Sequence, residues 1–237
     1  MIKIIKLKED IFCIENFVTP EESKSMINYL NWLVNTGILK WNQISFYESY
    51  AMGFWEKDEA LTMFGLSPTY FNELRDKIKL ASEKCFEREL SQVTFHAQKW
   101  EKGSFASFHS DNSGPDGEPT AFEKSKYAAF LYLNDDFEGG VLNFEHDPIT
   151  IVPKTGLIAI FRGGYKNEHE VTMVKSGERY TIGSFWDNAD AEYSEEQKAK
   201  WEEELAQTRK EQEEEQKIWL EEKEKGIVKE YVGKNGE

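Results

Sequence analysis

His109, Ser110 and Asp111 put an imidazole and a carboxylate two residues apart. Successive side chains of an extended chain point to opposite faces, so if residues 108–111 are extended, His109 and Asp111 share one face. Such a pair can fill two sites on a metal ion, and a third ligand must come from elsewhere. The chain has only four histidines, so His169, His96 and His146 are the candidates. Two histidines and one carboxylate on one side of a first-row metal leave the opposite positions open. Arg179, ten residues beyond His169, adds a cation whose planar fork suits a carboxylate and stays charged when buried. An open metal site beside a carboxylate clamp describes a reaction centre.

Strands must position these groups. Residues 169–174 alternate as a strand does, Lys175-Ser176-Gly177-Glu178 supplies a turn, and residues 179–186 read as a returning strand. This pattern predicts an out-and-back hairpin that returns Arg179 to the neighbourhood of His169. Asn134-Asp135-Asp136-Phe137-Glu138-Gly139-Gly140 likewise reads as hairpin text between two strands.

The chain carries further ordered text: Gln98-Lys99-Trp100-Glu101-Lys102-Gly103, Phe108-His109-Ser110-Asp111 and Phe130-Leu131-Tyr132-Leu133-Asn134. Gly139-Gly140, Val152-Pro153-Lys154-Thr155-Gly156, Phe161, His169-Glu170-Val171 and Ser176-Gly177-Glu178-Arg179-Tyr180 follow. In this order the segments resemble the catalytic core of the Fe(II)/2-oxoglutarate-dependent dioxygenases, in the prolyl 4-hydroxylase-like branch. Asn16-Phe17-Val18-Thr19-Pro20-Glu21-Glu22 resembles that family's opening strand-to-helix segment, so the likeness spans roughly residues 10–187.

The resemblance implies that His109, Asp111 and His169 ligate iron and that Arg179 pairs with the distal carboxylate of 2-oxoglutarate. Tyr132 is then a second cosubstrate contact. Trp100 stands where the family commonly has tyrosine, near the mouth of the site, and Met173 replaces a frequent proline. The implied cofactor is Fe(II), with 2-oxoglutarate and O2 as cosubstrates and ascorbate as a supporting reductant. The implied reaction is oxidative decarboxylation to succinate and CO2 coupled to C–H hydroxylation. Related halogenases lack the carboxylate ligand, so Asp111 points to hydroxylation. No catalytic residue beyond the metal centre is required, and no serine, cysteine or lysine arrangement demands one.

Composition agrees with this reading. A chain of 237 residues holds one substantial domain with an appended segment. The formal charge of −15 argues against a nucleic-acid backbone as partner. Cys13 and Cys85 form no metal-type pair and no disulfide framework, which favours a reducing compartment. The apolar residues from Ile2 to Leu7 are interrupted by Lys3 and Lys6, unlike a secretory leader, and no run is long enough to span a membrane. A cytoplasmic location is expected.

The expected fold is α+β: a double-stranded β-helix (jelly-roll) barrel buttressed by N-terminal helices, with an acidic C-terminal helix. Residues 1–92 mix two short strands with two supporting helices in the same domain. One helix opens on the capping box Thr19-Pro20-Glu21-Glu22 and runs through Met26, Ile27, Leu30 and Leu33. The other opens at Ser67-Pro68 and runs toward Leu90, with Phe71, Leu74, Ile78 and Ala81 on one face. Residues 93–187 form the catalytic core, and the Gly- and Pro-rich stretch 112–124 after Asp111 reads as a mobile loop over the pocket. Residues 41–55 are rich in aromatics, among them Phe46, Tyr47, Tyr50, Phe54 and Trp55, which suit either a peptide-binding surface or a core.

Residues 188–237 form an acidic, helical extension. Counted from Asp187, the last 51 residues hold 17 acidic and 9 basic side chains, −8 of the total charge. Ser194-Glu195-Glu196-Gln197 caps a helix that passes through Trp201, Leu205 and Trp219.

The leading expectation is hydroxylation of a peptidyl proline at C4. The first rival is a hydroxylase of a free amino acid or other small molecule. Nucleic-acid demethylation ranks lower, because that branch usually adds an arginine six residues after the cosubstrate arginine, where this chain has Phe185. A non-catalytic interaction protein ranks lower still, since a scaffold needs neither the ligands nor the cation.

Overall fold

Three layers position the site. In this computed structural model, which describes residues 3–44, 49–53, 59–114 and 116–226, an eight-stranded sheet lies between two helices and a four-stranded sheet. Along the chain come β1 (Ile4–Lys8), β2 (Ile11–Ile14), α1 (Pro20–Asn35), β3 (Asn42–Ile44) and β4 (Ser49–Gly53). Then follow α2 (Tyr70–Phe86), β5 (Leu90–Trp100), β6 (Ala106–His109), β7 (Tyr127–Tyr132) and β8 (Leu142–Phe144). β9 (Thr150–Ile151), β10 (Ile158–Arg162), β11 (His169–Val171), β12 (Arg179–Asn188) and α3 (Glu195–Glu224) complete the chain. The larger sheet runs β1-β2-β10-β7-β12-β5-β4-β3 and the smaller β6-β11-β8-β9, with antiparallel pairing throughout.

Period-2 alternation divides the large sheet between two cores. Ala129, Leu131, Ile160, Ile182 and Trp186 face α1 and α2, meeting Met26, Leu30 and Leu33 from one helix and Phe71, Leu74 and Ile78 from the other. Their neighbours Ala128, Tyr132, Ala159 and Phe161, with Trp100 of β5, face Ala106, Leu142, Phe144 and Val171 of the small sheet. The functional site lies in this second core.

The Thr19 capping box forms as its residues predict: Glu22 N–H donates to Thr19 Oγ1 at 3.1 Å, and Thr19 N–H donates to the Glu22 carboxylate at 2.7 Å. α2 starts at Tyr70, after Ser67-Pro68, with Thr69 preceding it but making no side-chain cap bond, and it stops at Phe86, well short of Leu90. Glu87 adopts a left-handed conformation (φ 51°) that turns the chain into β5. Among its described residues the N-terminal region holds four short strands before β5, two more than expected. β3 and β4 come from the aromatic-rich stretch and form one edge of the large sheet, with Met52 buried. Phe46, Tyr47, Phe54 and Trp55 lie outside the described residues.

The expected hairpin from His169 to Arg179 does not form. β11 sits between β6 and β8 in the small sheet, whereas β12 sits between β5 and β7 in the large one. Residues 172–178 therefore cross between sheets. The stretch 134–140 is a crossing too, since it leaves β7 in the large sheet and enters β8 in the small. The two crossings bond to each other: Lys175 N–H donates to Glu138 O at 2.8 Å, Glu138 N–H to Ser176 O at 3.0 Å, and Gly140 N–H to Thr172 O at 3.1 Å. Glycine is needed at Gly139 (φ 79°), where a Cβ would lie 1.9 Å from Met173 O.

The C-terminal helix forms with its own capping box. Gln197 N–H donates to Ser194 Oγ at 3.1 Å, and Ser194 N–H donates to Gln197 Oε1 at 3.0 Å. Trp201 anchors it, buried edge-on against Tyr193 at 4.7 Å with Lys124 Nζ 5.0 Å from its ring. Among the described residues no helix is long and apolar enough to cross a membrane.

Candidate metal centre and carboxylate clamp

The register of the small sheet builds the centre. β6 and β11 pair antiparallel with His109 opposite His169, so the two imidazoles project side by side with ring centroids 4.5 Å apart. β6 ends at His109, and the extended run expected to Asp111 stops there. Instead Asp111 N–H donates to Gly163 O at 2.7 Å, and Ser110 Oγ donates to Ser113 O at 2.6 Å, turning the chain just past the carboxylate. Asp111 Oδ1 lies 3.9 Å from His109 Nε2 and 3.7 Å from His169 Nε2, and one donor atom from each of the three residues falls within 4.8 Å of the others.

Each ring is oriented by the backbone behind it. His109 Nδ1 lies 2.7 Å from Ser107 O, and His169 Nδ1 lies 3.0 Å from Asn167 O. A carbonyl can only accept, so Nδ1 carries the proton in both rings and each Nε2 lone pair is turned toward Asp111. Burial depresses both histidines below their ordinary value, His169 the more strongly, so they are neutral and their approach to Asp111 is not an ion pair. Burial raises the Asp111 carboxyl well above 3.8, and its Oδ2 has no hydrogen-bond partner. Two neutral nitrogens and an orphaned buried carboxylate oxygen fit a dication, whose charge would reverse the Asp111 shift.

A cation lies in the same cleft. Arg179 starts β12 opposite Trp100 of β5 and is 2% exposed. Its guanidinium carbon sits 5.1 Å from the Trp100 ring and 5.0 Å from the Tyr132 ring. Arg179 Nε and Nη1 and the Tyr132 hydroxyl are buried without well-formed hydrogen bonds. The Arg179 charge nevertheless opposes the upward push of burial on the Tyr132 hydroxyl. Donors left unmade in a buried cleft cost roughly 1–3 kcal/mol each, and an entering carboxylate would satisfy several at once. The same cleft is lined by all three triad residues and by Arg179, Tyr132 and Trp100.

The structure therefore brings together His109, Asp111, His169, Arg179, Tyr132 and Trp100, though Trp100 is a buried wall under Arg179 and not part of a mouth. His96 and His146 are excluded as ligands by position. His96 stacks on Phe185 of the large sheet, with burial pulling it down to about 4. His146 Nε2 sits 3.2 Å from Glu168 and packs on Tyr165. The loop 112–124 bonds to itself through Gly114 N–H to Glu118 O and Thr120 N–H to Asn112 O, and no described residue of it lines the cleft. Gln98, Phe130 and Leu142 line the cleft but were not singled out as site residues. Only the alternation along β5, which puts Gln98 on the Trp100 face, could have flagged the first of them.

Gly163 sets the carboxylate's position by close approach. A Cβ there would lie 2.6 Å from Ser125 O, 2.7 Å from Asp111 Cβ and 2.8 Å from Asp111 Oδ2. Gly163→Ala is expected to push Asp111 off the imidazoles and weaken Mn(II) binding, measured calorimetrically, by roughly 10–100-fold. Wild-type affinity in that variant would show that the carboxylate is placed by something else.

Residues 93–187 match the family model described as the 2OG-Fe(II) oxygenase superfamily. Human prolyl 3-hydroxylase 2 is 40% identical over 83 residues, covering 33% of this chain and 12% of that protein. The chain thus spans about an eighth of the length of the curated relatives it matches. A Trichoplax adhaerens prolyl hydroxylase, solved with a hypoxia inducible factor oxygen degradation domain peptide, superimposes with TM-score 0.59 at 16% identity, covering 76% of this chain and 84% of that one. The viral collagen prolyl hydroxylase of Paramecium Bursaria Chlorella virus-1, in its 2OG complex, gives TM-score 0.56 at 17% identity over 76% and 96% of the two chains. At such identities the two structures show a shared fold.

Proposed function

From the premise that the chain belongs to the 2OG-Fe(II) oxygenase superfamily, whose dioxygenases use Fe(II), 2-oxoglutarate and O2, we propose that it hydroxylates a prolyl residue of a peptide or protein, at C4. The observation that carries the chemistry is one cleft holding the His-Asp-His triad and the unpartnered Arg179 cation. The two facing sheets are read as the superfamily's double-stranded β-helix. The prolyl substrate is supported by the prolyl hydroxylases among the relatives and structural neighbours.

In this reading His109 Nε2, His169 Nε2 and Asp111 hold Fe(II). When bound, the iron supplies the coupled oxidation, in which 2-oxoglutarate and O2 yield succinate, CO2 and a hydroxyl on the substrate carbon. The residues around it bind and orient. Ser107 O and Asn167 O lock both imidazoles in the metal-binding tautomer. Arg179 and the Tyr132 hydroxyl take the distal carboxylate of 2-oxoglutarate and hold the dicarboxylate in one direction. Trp100 supports the guanidinium from beneath, and the apolar walls, Phe130 and Leu142 among them, exclude water.

The test is incubation with Fe(II), 2-oxoglutarate and ascorbate against a panel of proline-containing peptides. Expected are succinate release that rises with the right peptide and a product heavier by one oxygen. Acid hydrolysis and chromatography against hydroxyproline standards locate the hydroxyl. C3 hydroxylation is the second reading, favoured by the 40% identity of the catalytic segment to prolyl 3-hydroxylase 2. Peptide-stimulated turnover without hydroxyproline would sink the prolyl substrate and leave the dioxygenase chemistry standing.

A further inference from the structure

Gln98 sits two pairs along from Arg179 in the β5–β12 ladder, opposite Thr181, so it shares a face with Trp100, which sits opposite Arg179. It is 4% exposed and lines the cleft that holds Arg179, Tyr132 and the triad. Two donors converge on its carbonyl oxygen. Trp100 Nε1 lies 3.3 Å from Gln98 Oε1, and Thr181 Oγ1 lies 3.4 Å from the same atom. An indole N–H can only donate, so the oxygen end of the carboxamide must face Trp100. That fixes the flip of the side chain and leaves the amide nitrogen as the other end. Among the described residues no acceptor takes Gln98 Nε2.

We propose that Gln98 is a cosubstrate-binding residue that donates Nε2–H to the same carboxylate that Arg179 takes. This rests on the 2-oxoglutarate reading of the cleft. A carboxylate offers about four lone-pair sites on its two oxygens. Arg179 Nε, Arg179 Nη1 and the Tyr132 hydroxyl are three buried donors without well-formed hydrogen bonds, and the amide end of Gln98 adds a fourth donor to the same cleft. Besides Asp111, the side chains that line the cleft with these donors present no carboxylate, so the donor set matches an anion and opposes a second cation. Thr181, two residues after Arg179, spends its hydroxyl on Gln98 and is buried, so it acts on the cosubstrate through the carboxamide. The Trp100 ring that receives this ordering is also the platform under Arg179. Gln98 therefore both donates to the carboxylate and holds the surface on which its main partner rests.

Calorimetry on Mn(II)-loaded protein without O2 tests this, using 2-oxoglutarate and 2-oxovalerate, which keeps the keto acid end and lacks the distal carboxylate. Gln98→Met keeps the length and removes donor and acceptor. Gln98→Glu keeps an acceptor for Trp100 and Thr181 and replaces the donor with a negative charge. The expected result is 2-oxoglutarate binding weakened roughly 10-fold or more in Gln98→Met and further in Gln98→Glu, with 2-oxovalerate binding and Mn(II) affinity unchanged in Gln98→Met. Should Gln98→Glu fail to fold, the intrinsic Trp100 environment of Gln98→Met, read by near-ultraviolet circular dichroism, takes its place. An unchanged signal with 2-oxoglutarate binding lost supports donation, and a changed signal overturns it. Equal loss for both keto acids would assign Gln98 to general packing of the cleft. 2-Oxoglutarate binding restored in Gln98→Glu, which keeps the acceptor for Trp100, would assign it to holding the Trp100 platform. Either result overturns the proposal. Wild-type 2-oxoglutarate affinity in Gln98→Met, with Arg179→Ala still defective, would overturn it while leaving the cosubstrate reading intact. A wild-type protein that binds neither keto acid would overturn both.

Discussion

Replacing Asp111 with alanine will abolish succinate release and substrate hydroxylation while leaving the metal-free protein folded. The carboxylate is the only charged member of the triad, because burial keeps His109 and His169 neutral. Without it two imidazoles face a dication alone, and Fe(II) affinity should fall by at least roughly the 100-fold reached when mere supporting partners of metal ligands are lost. In wild-type protein, metal at 100 times its Kd raises stability by about 2.7 kcal/mol, so thermal melts with and without Mn(II) should differ clearly. In Asp111→Ala they should coincide. The metal-free melts give the opposite sign. The folded-state pKa of Asp111 is raised by burial, so its contribution to stability is fully present below the unfolded value of 3.8 and is lost as pH climbs through the folded value. Metal-free Asp111→Asn should therefore melt at or above wild type at pH 7, with the gap closing below pH 3.8. If Asp111→Asn were clearly less stable than wild type in chelator, the carboxylate would be a structural group and the metal assignment would fail.

The opposing signs show why the triad was legible in sequence while its framework was not. His109-x-Asp111 is a local statement about two side chains, and the capping boxes at Thr19 and Ser194 are equally local. Each joins residues within four positions of one another, and each group is found together, although Asp111 meets the imidazoles from a turn past β6 and not from an extended run. The link from His169 to Arg179 is different. Alternation, a Gly-containing turn and further alternation describe a reversal, but a turn does not record which sheet receives the returning strand. That choice was made by distant partners: β11 by Phe144 and His109, β12 by the ten-residue ladder with β5 and by β7. The prediction that Arg179 returns to the site held for a different reason, since it reaches the cleft from the facing sheet. Gln98 marks the same boundary. A glutamine in a strand carries no signal of its own, and its orientation appears only once Trp100 and Thr181 are known to flank it.

Arg179→Ala will produce the second large loss, and it will be confined to 2-oxoglutarate. Arg179 is 2% exposed, its guanidinium lies against the Trp100 and Tyr132 rings, and its Nε and Nη1 donors are unmet, so among the described residues no carboxylate pairs with this cation. Removing one partner of a buried charge pair costs about 3–5 kcal/mol, because the other is left desolvated. At 1.4 kcal/mol per tenfold, the KM for 2-oxoglutarate should rise by roughly 10²–10³-fold or more. Metal binding should change little, since Arg179 donates nothing to the triad. Arg179→Lys should recover part of the loss: a point charge remains, but the fork and the flat face against Trp100 are gone. The discriminating measurement uses 2-oxovalerate beside 2-oxoglutarate. Wild-type protein should prefer the dicarboxylate strongly, and Arg179→Ala should bind the two alike. A variant that keeps the wild-type preference would place the distal carboxylate elsewhere and dissolve the link between the cation and the metal in this cleft.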